Sequence, residues 1–123
     1  SRVRLWRAGV SRRIDDAPPG VDAWRPSLAI TNDAEIHAVW QDLRGGTNGL
    51  RMTKASGPDL DAGSSLRIDD AAEDAHAYAP RAAARGDEIW IVWEDPRSGY
   101  SQVRLLRSSG DPPIGAPLRS LEP

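Results

Sequence analysis

Two loops of the chain place carboxylates beside an aromatic ring, a combination that suits sugar binding. The first loop offers Asp16, Trp24 and Arg25, and the second offers Asp70 and Tyr78. Aromatic rings stack on the C–H faces of sugars, and carboxylates accept hydrogen bonds from sugar hydroxyls. The same oxygens could hold calcium, or the acids could cap turns while the rings pack inside the fold. These five residues are the candidate ligand-binding positions, with calcium as an alternative and no other cofactor expected.

A second motif, Asp-x-Arg after a tryptophan, occurs twice with its members 53 positions apart. The repeated residues are Trp40, Asp42, Arg44, Trp93, Asp95 and Arg97. An aspartate in a turn accepts backbone N–H groups, and an arginine pairs with a nearby acid. Catalysis needs one asymmetric site, so a motif that recurs favours a structural role. We therefore predict that this repeat motif supports the fold and contains no catalytic residue.

Other kinds of site have little support in the sequence. His37 and His76 are too far apart to form a zinc pattern, and the absence of cysteine excludes disulfides and thiolate chemistry. A net charge of -2 gives no electrostatic footprint for nucleic acid. No apolar run approaches the ~18 residues of a membrane span. We expect neither a nucleic-acid nor a membrane partner, and the composition selects no compartment.

The elements that must position these residues are short strands, because glycine and proline interrupt the chain throughout. Four strand types recur. Strand A is predicted at 27–30 and 81–84, strand B at 35–40 and 88–93, strand C at 2–8, 50–54 and 103–107, and strand D at 11–14, 65–68 and 117–121. Strand B is apolar on both faces and is expected to be covered on both. Its predicted buried residues are Ile36, Ala38, Trp40, Ile89, Ile91, Val92 and Trp93.

The strand order C-D, A-B-C-D, A-B-C-D describes antiparallel four-stranded meanders. A unit with two apolar faces needs neighbours, and radially stacked sheets of this kind form a β-propeller. A β-sandwich is the alternative, but it explains the two-sided strand B less well. We predict an all-β chain with one repeat domain over residues 1–123. It contains a partial blade at 1–14 and blades at 26–68 and 80–121, about 2.5 blades in all, so the ring is incomplete in one chain.

Three motifs carry a family resemblance. The patterns Pro-x-x-Ala, Glu-Ile-x-x-Val-Trp-x-Asp-x-Arg-x-Gly and Val-Arg-x-x-Arg-Ser resemble blades of the bacterial sialidase-like propellers with BNR, or Asp-box-type, repeats. The resemblance implies a secreted or periplasmic location. It also implies that sialidase chemistry would need an arginine cluster for the substrate carboxylate, a Tyr–Glu nucleophile pair and an Asp acid/base. Tyr78 and Tyr100 are the only tyrosines, and no complete constellation is evident in the sequence.

We therefore expect a non-catalytic propeller module that binds a carbohydrate or a protein partner. The alternative is a fragment of a sialidase-like glycoside hydrolase whose catalytic residues lie on missing blades. A purely structural repeat is a third class. An open stack of blades leaves apolar groups uncovered at its ends, where Trp90, Val3 and Leu5 are predicted to be exposed. A homo-oligomer is predicted for that reason, with a trimer ahead of a dimer.

Overall fold

The computed structural model describes residues 1–69, 75–97, 99–109 and 119–120. This part of the chain contains eleven β-strands and no α-helix, and the strands form three antiparallel sheets. The predicted all-β class is confirmed. Within the described residues, no helix has the length and apolar character needed to cross a bilayer.

The first sheet is a hairpin of β1 (Arg4–Arg7) and β2 (Val10–Arg13). Ala8 and Gly9 form its two-residue turn at φ values of 49° and 86°, a backbone that matches the twist of paired strands. Val3 and Leu5 belong to one buried cluster with Trp40 of the second sheet. The prediction that Val3 and Leu5 are exposed is wrong, because the hairpin packs its apolar face onto the second sheet and leaves them 2% and 7% exposed.

The second sheet is a meander whose outer strand is divided. Its strands β3 (Ala23–Ile30), β4 (Ile36–Asp42) and β5 (Gly49–Ser56) pair in chain order. Two short strands, β6 (Asp61–Ala62) and β7 (Leu66–Arg67), then both pair with β5. The sequence predicts a single strand D at 65–68, whereas the outer position of this sheet is shared by β6 and β7.

The third sheet repeats this order with β8 (Tyr78–Arg85), β9 (Glu88–Asp95), β10 (Gln102–Ser109) and β11 (Arg119–Ser120). Both β8 and β9 extend beyond the predicted strands A and B at one or both ends. The strand β11 falls inside the predicted strand D at 117–121, and the other positions of that prediction lie outside the described residues.

A β-bulge interrupts the first strand of the second and third sheets at the same place. The register shifts at Arg25-Pro26 in β3 and at Ala79-Pro80 in β8. Arg25 and Ala79 have φ values of 55° and 53°, in the left-handed region that residues other than glycine rarely adopt. A bulge of this kind bends the strand and re-aims the neighbouring side chains. The bulges therefore set where Trp24 and Tyr78 point.

Two apolar clusters join the three sheets. One lies between the first and second sheets around Trp40, and the other lies between the second and third sheets around Trp93. The strand β4 lies between these clusters, and all seven of its residues are buried. The chain therefore stacks its sheets face to face, with β4 covered on both sides as the sequence predicts.

The predicted buried set of strand B is confirmed at six positions, which are Ile36, Ala38, Trp40, Ile89, Ile91 and Trp93. Val92 is half-buried, so that part of the prediction is wrong. Side chains alternate along β9, and Ile91 and Trp93 face the second sheet. Val92 therefore faces away from that sheet, where the described part of the chain provides less cover.

Candidate functional site

The loops between sheets and the turns inside sheets meet at one end of the molecule. Arg44, in the turn after β4, contacts Asp16, in the loop between β2 and β3. The backbone N–H of Asn48, in the same turn, donates to His76 Nδ1 over 3.0 Å, from the loop before β8. We call this surface, formed by residues 14–22, 43–48 and 75–77, the loop face. Of the residues that the sequence singles out, Asp16 and Arg44 lie on it, and Trp24, Arg25 and Tyr78 lie in the strands that begin just after its loops.

The first aspartate of each loop binds its own sheet. Asp15 Oδ2 accepts the backbone N–H of Val3 over 2.8 Å, and Asp69 Oδ2 accepts that of Leu50 over the same distance. Arginines two positions earlier pair with both carboxylates. Burial alone would raise the pKa of Asp15, but the hydrogen bonds from Arg13 and the backbone outweigh it and hold the pKa below its ordinary value. Both residues thus tie the strand D position to strand C.

The candidate ligand residue Asp16 instead joins the first loop to the second sheet. Its Oδ2 accepts the Ser65 N–H over 2.8 Å, and its Oδ1 accepts the Ser65 hydroxyl over 2.5 Å and Arg44 Nη2 over 2.6 Å. Partial burial would raise the pKa of Asp16, but the Ser65 and Arg44 contacts lower it to about 2. Both oxygens therefore already have donors from the protein.

The repeated Asp-x-Arg motif has the same geometry in both sheets. Asp42 accepts the Arg44 backbone N–H over 3.2 Å and pairs with its guanidinium over 2.8 Å. Asp95 accepts the Arg97 N–H over 2.8 Å and pairs with its guanidinium over 2.5 Å. Burial would raise the pKa of Asp95, but the bonds from Arg97 lower it. Each aspartate thus closes the turn between strands B and C.

The two aromatic candidates are half-buried at the bulges. The Tyr78 ring stacks on His76 with ring centres 5.4 Å apart and planes 6° apart. His76 Nδ1 accepts from Asn48, so the neutral ring carries its proton on Nε2. Arg25 is exposed beside Trp24. Among the described residues, no ring contact joins Trp24 to Tyr78, so each stands at its own sheet rather than in a shared site.

Sequence reasoning missed a pocket of about 320 Å³ beside the turn after β4. Its lining residues are Asp42, Arg44, Gly45, Thr47, Gly49, Arg51 and Arg67. Arg51 and Arg67 are direct partners across β5 and β7 and share one face of the sheet. The repetition of an arginine in strand C was visible in the sequence. The sequence did not predict the pairing register that brings Arg44, Arg51 and Arg67 together. This register depends on the path of the segment between β5 and β7, which no short sequence pattern determines.

Two of the three arginines at this pocket form ion pairs with aspartates, and the third is held by hydrogen bonds to a serine. Arg44 pairs with Asp42 and Asp16, and Arg67 pairs with Asp69. Arg51 donates its Nε and Nη2 to the Ser65 hydroxyl and carbonyl, and within the described chain it forms no ion pair. Burial lowers the pKa of Arg51, and the nearby Arg44 lowers it further. Asp16 and Asp42 act in the opposite direction, but among the described residues neither forms an ion pair with Arg51, whose guanidinium lines the cavity.

A second arrangement outside the sequence predictions places Tyr78 directly opposite Glu94 across β8 and β9. Directly opposed residues of an antiparallel pair share one face of the sheet. Tyr78 is half-buried and Glu94 is exposed. The structure records no hydrogen bond between them among its described residues.

Asp70 lies outside the described residues, as do the other acids of its loop at positions 73 and 74. In the part that is described, no group of three or more histidines and acids could hold a metal ion. Asp22, the remaining acid of the first loop, pairs with the N-terminal amine.

Comparison of the chain with family models, curated proteins and solved structures finds no match.

Proposed function

We propose that the chain forms part of a β-propeller and works as a non-catalytic module that binds an anionic carbohydrate or an acidic partner at the loop face. The propeller reading is supported by two sheets of the same strand order, by the bulge shared by β3 and β8, and by β4 with its two covered faces. Stacked four-stranded sheets with covered faces are the building plan of propellers. A sandwich would leave one face of each sheet wet.

The observation that carries the ligand class is Arg51. Its guanidinium lines the 320 Å³ pocket beside Arg44 and Arg67, and among the described residues it has no ion pair of its own. An arginine presents a planar set of donors that matches carboxylates and sulfates. Arg44 and Arg67 already have acid partners, so an anion in the pocket would act mainly on Arg51. It would give Arg51 an ion pair and offset the effects of burial and of Arg44 on its charge. Neutral sugars would gain neither effect.

The aromatic rings at the bulges would extend such a site. Trp24 and Tyr78 are half-buried, so one part of each ring packs in the fold and another part remains open to a ligand. A ring held by packing loses little conformational freedom when a sugar stacks on it. Arg25 adds an exposed donor next to Trp24. This platform is the sugar-binding surface that the sequence predicts, and it adjoins the loop face.

A glycan array that includes acidic and neutral sugars tests the proposal on the purified chain. Acidic glycans should bind, and Arg51→Met should weaken their binding at least about tenfold, the loss expected for a buried charged hydrogen bond. Arg4→Met is the matched control, since Arg4 makes the same pair of bonds to Ser11 in the first sheet, away from the arginine pocket. Equal binding by both variants, or binding of neutral glycans alone, would remove Arg51 from the site.

The alternative function is that of a fragment of a sialidase-like glycoside hydrolase. The opposed pair Tyr78 and Glu94 favours it, because a tyrosine nucleophile needs a base close enough to take its proton. Hydrolysis of an aryl sialoside by the chain, lost in Glu94→Gln and in Tyr78→Phe, would support the enzyme. Hydrolysis that survives both changes would exclude this pair as its source.

Self-association is proposed for the outer face of the third sheet. Trp90 is half-buried there, with the Arg107 guanidinium carbon 5.2 Å from its ring centre. Half-buried apolar residues on an outer sheet face suit contact with a second copy. Sedimentation equilibrium of the chain and of Trp90→Ser at micromolar concentration measures this contact. A monomer in both cases would refute it.

A further inference from the structure

Three large exposed apolar side chains lie together away from the loop face. Trp6, Leu28 and Ile30 are 70%, 47% and 53% exposed. They line a groove of about 290 Å³ between the first and second sheets. The other residues of this apolar groove are Leu5, Arg7, Ala34 and Ile36. A second cavity of about 200 Å³ continues it past Leu28 toward Pro26 and Ala38.

The internal repeat shows what covers the equivalent surface one sheet further on. Leu28 and Ile30 of β3 correspond to Ala82 and Ala84 of β8, 54 positions later. Those alanines are half-buried and pack against a cluster that includes Ala29 of β3 and Val39 of β4. The strands β3 and β4 therefore cover β8. In the part of the chain that the structure describes, the first sheet consists of β1 and β2 alone, and no counterpart of β3 and β4 covers Leu28 and Ile30.

The edge of the first sheet is open at the same place. In the second and third sheets the strands equivalent to β1, which are β5 and β10, have neighbours on both edges. In the described chain β1 pairs only with β2. A strand edge with free backbone donors and acceptors is a template for a further strand. The open edge and the apolar groove adjoin, because Leu5 and Trp6 belong to β1 and also line the groove.

We infer that the β1 edge and the apolar groove are a docking site for an antiparallel strand pair with the A–B pattern of β3 and β4. The inner strand would cover Leu28 and Ile30 with small residues, and the other strand would pair with β1 through its backbone. Residues equivalent to Ala29 and Val39 would enter the groove. This inference is independent of ligand binding at the loop face.

A folded second copy of the chain does not fit this site as it stands. Its own strand pair β8–β9 already carries β10 on the edge of β9 that β1 would need. The site therefore requires a strand pair whose outer edge is unoccupied. This distinguishes it from the contact between copies proposed for the outer face of the third sheet.

A peptide of residues 23–42 titrated onto the full chain tests the inference. The peptide should slow amide exchange along β1 by about tenfold or more, as expected when an edge strand gains a partner. Val39→Asp in the peptide is the matched control, since this side chain should enter the groove. Leu28→Asp in the chain should also abolish protection, and its exposed position lets the variant keep its fold.

A covalent version keeps the test decisive if the free peptide aggregates. Residues 23–47 are fused ahead of Ser1. Arg4 then follows the added segment at the same distance at which Arg51 follows residue 47. The fused chain should show the same slow exchange at β1, and Val39→Asp in the added segment should remove it. Unprotected β1 amides in the fused chain would overturn the inference. Protection that rises with chain concentration, with no added segment, would also overturn it by assigning the groove to a second copy.

Discussion

Asp16 and Arg44 form an ion pair of 2.6 Å between the first loop and the second sheet, although 28 positions separate them in the chain. The same carboxylate binds Ser65, a further 21 positions along the chain. One exposed side chain thus fastens three separate segments. Replacing it should loosen the contact between sheets rather than unfold either of them.

The first prediction is a pH dependence that rests on Asp16. Its folded-state pKa of about 2 lies below the ordinary value of 3.8, so the unfolded chain binds more protons between these values. The stability that Asp16 contributes is complete above about pH 4 and is lost as the pH falls toward 2. Asp16→Asn should lower the unfolding free energy at neutral pH by about 1–2 kcal/mol, since the site is partly exposed.

Denaturant unfolding at several pH values measures this effect. The curve of Asp16→Asn should approach that of the unmodified chain as the pH falls toward 2. Asp61→Asn, at an exposed position of β6, is the control. Its unfolding free energy should match that of the unmodified chain at each pH. Parallel curves for the chain and Asp16→Asn over the whole acid range would contradict the assignment.

The second prediction concerns the core between the second and third sheets. Trp93 is fully buried, so Trp93→Ala should cost about 3–5 kcal/mol, the range for removing a large core side chain. Trp6→Ala is the matched control because Trp6 is 70% exposed, and it should cost less than about 0.5 kcal/mol. Chemical denaturation compares the two. A loss below about 1 kcal/mol for Trp93→Ala would mean that the stacked sheets are not the folded state.

The third prediction concerns the turn after β9. Asp95→Ala removes the ion pairs that Asp95 forms with Arg97 and Arg104 and should lower stability by about 1–3 kcal/mol. Asp42→Ala should have an effect of similar size in the second sheet. Asp87→Ala, in the exposed turn before β9, serves as the control. If Asp95→Ala abolished ligand binding while the melting curve stayed unchanged, the structural reading of the repeat would be refuted.

The fourth prediction separates sugar stacking from packing at the bulges. Trp24→Ala and Tyr78→Ala should each weaken glycan binding by about 0.5–1.5 kcal/mol, the worth of a ring contact. Both variants should keep the unfolding transition cooperative. Equal glycan affinity in the double variant would remove the sugar platform from the proposal. Circular dichroism on the same samples reports whether the sheets remain intact.

The fifth prediction concerns calcium. The Asp15 and Asp16 oxygens already accept several donors from the protein, so an ion would have to displace those bonds. A chelator should therefore leave the melting temperature unchanged. A fall in melting temperature with EDTA, reversed by calcium but not by magnesium, would assign a structural ion to these loops.

Local features of the molecule could be predicted from the sequence, and distant pairings could not. The turn geometry of Asp95 and Arg97 follows from residues two positions apart. The burial of Trp40 and Trp93 follows from the period of strand B. The contact of Asp16 with Ser65 and the facing of Arg51 and Arg67 depend on the paths of intervening loops, which no short pattern encodes. The exposure predicted for Val3 and Leu5 failed for the same reason.

The meander order within each sheet bears on how quickly the chain can fold. Apart from the pairing of β7 with β5, every described strand pair joins strands that follow one another along the chain, so the sheets form without long-range crossovers. Loop closure is the entropic barrier that slows folding when contacts are distant in sequence. The first hairpin, with its two-residue turn, should form on the microsecond scale of isolated hairpins. We then expect the docking of one sheet onto the next to be the slow step. This step includes formation of the hydrogen bonds from Ser65 to Asp16.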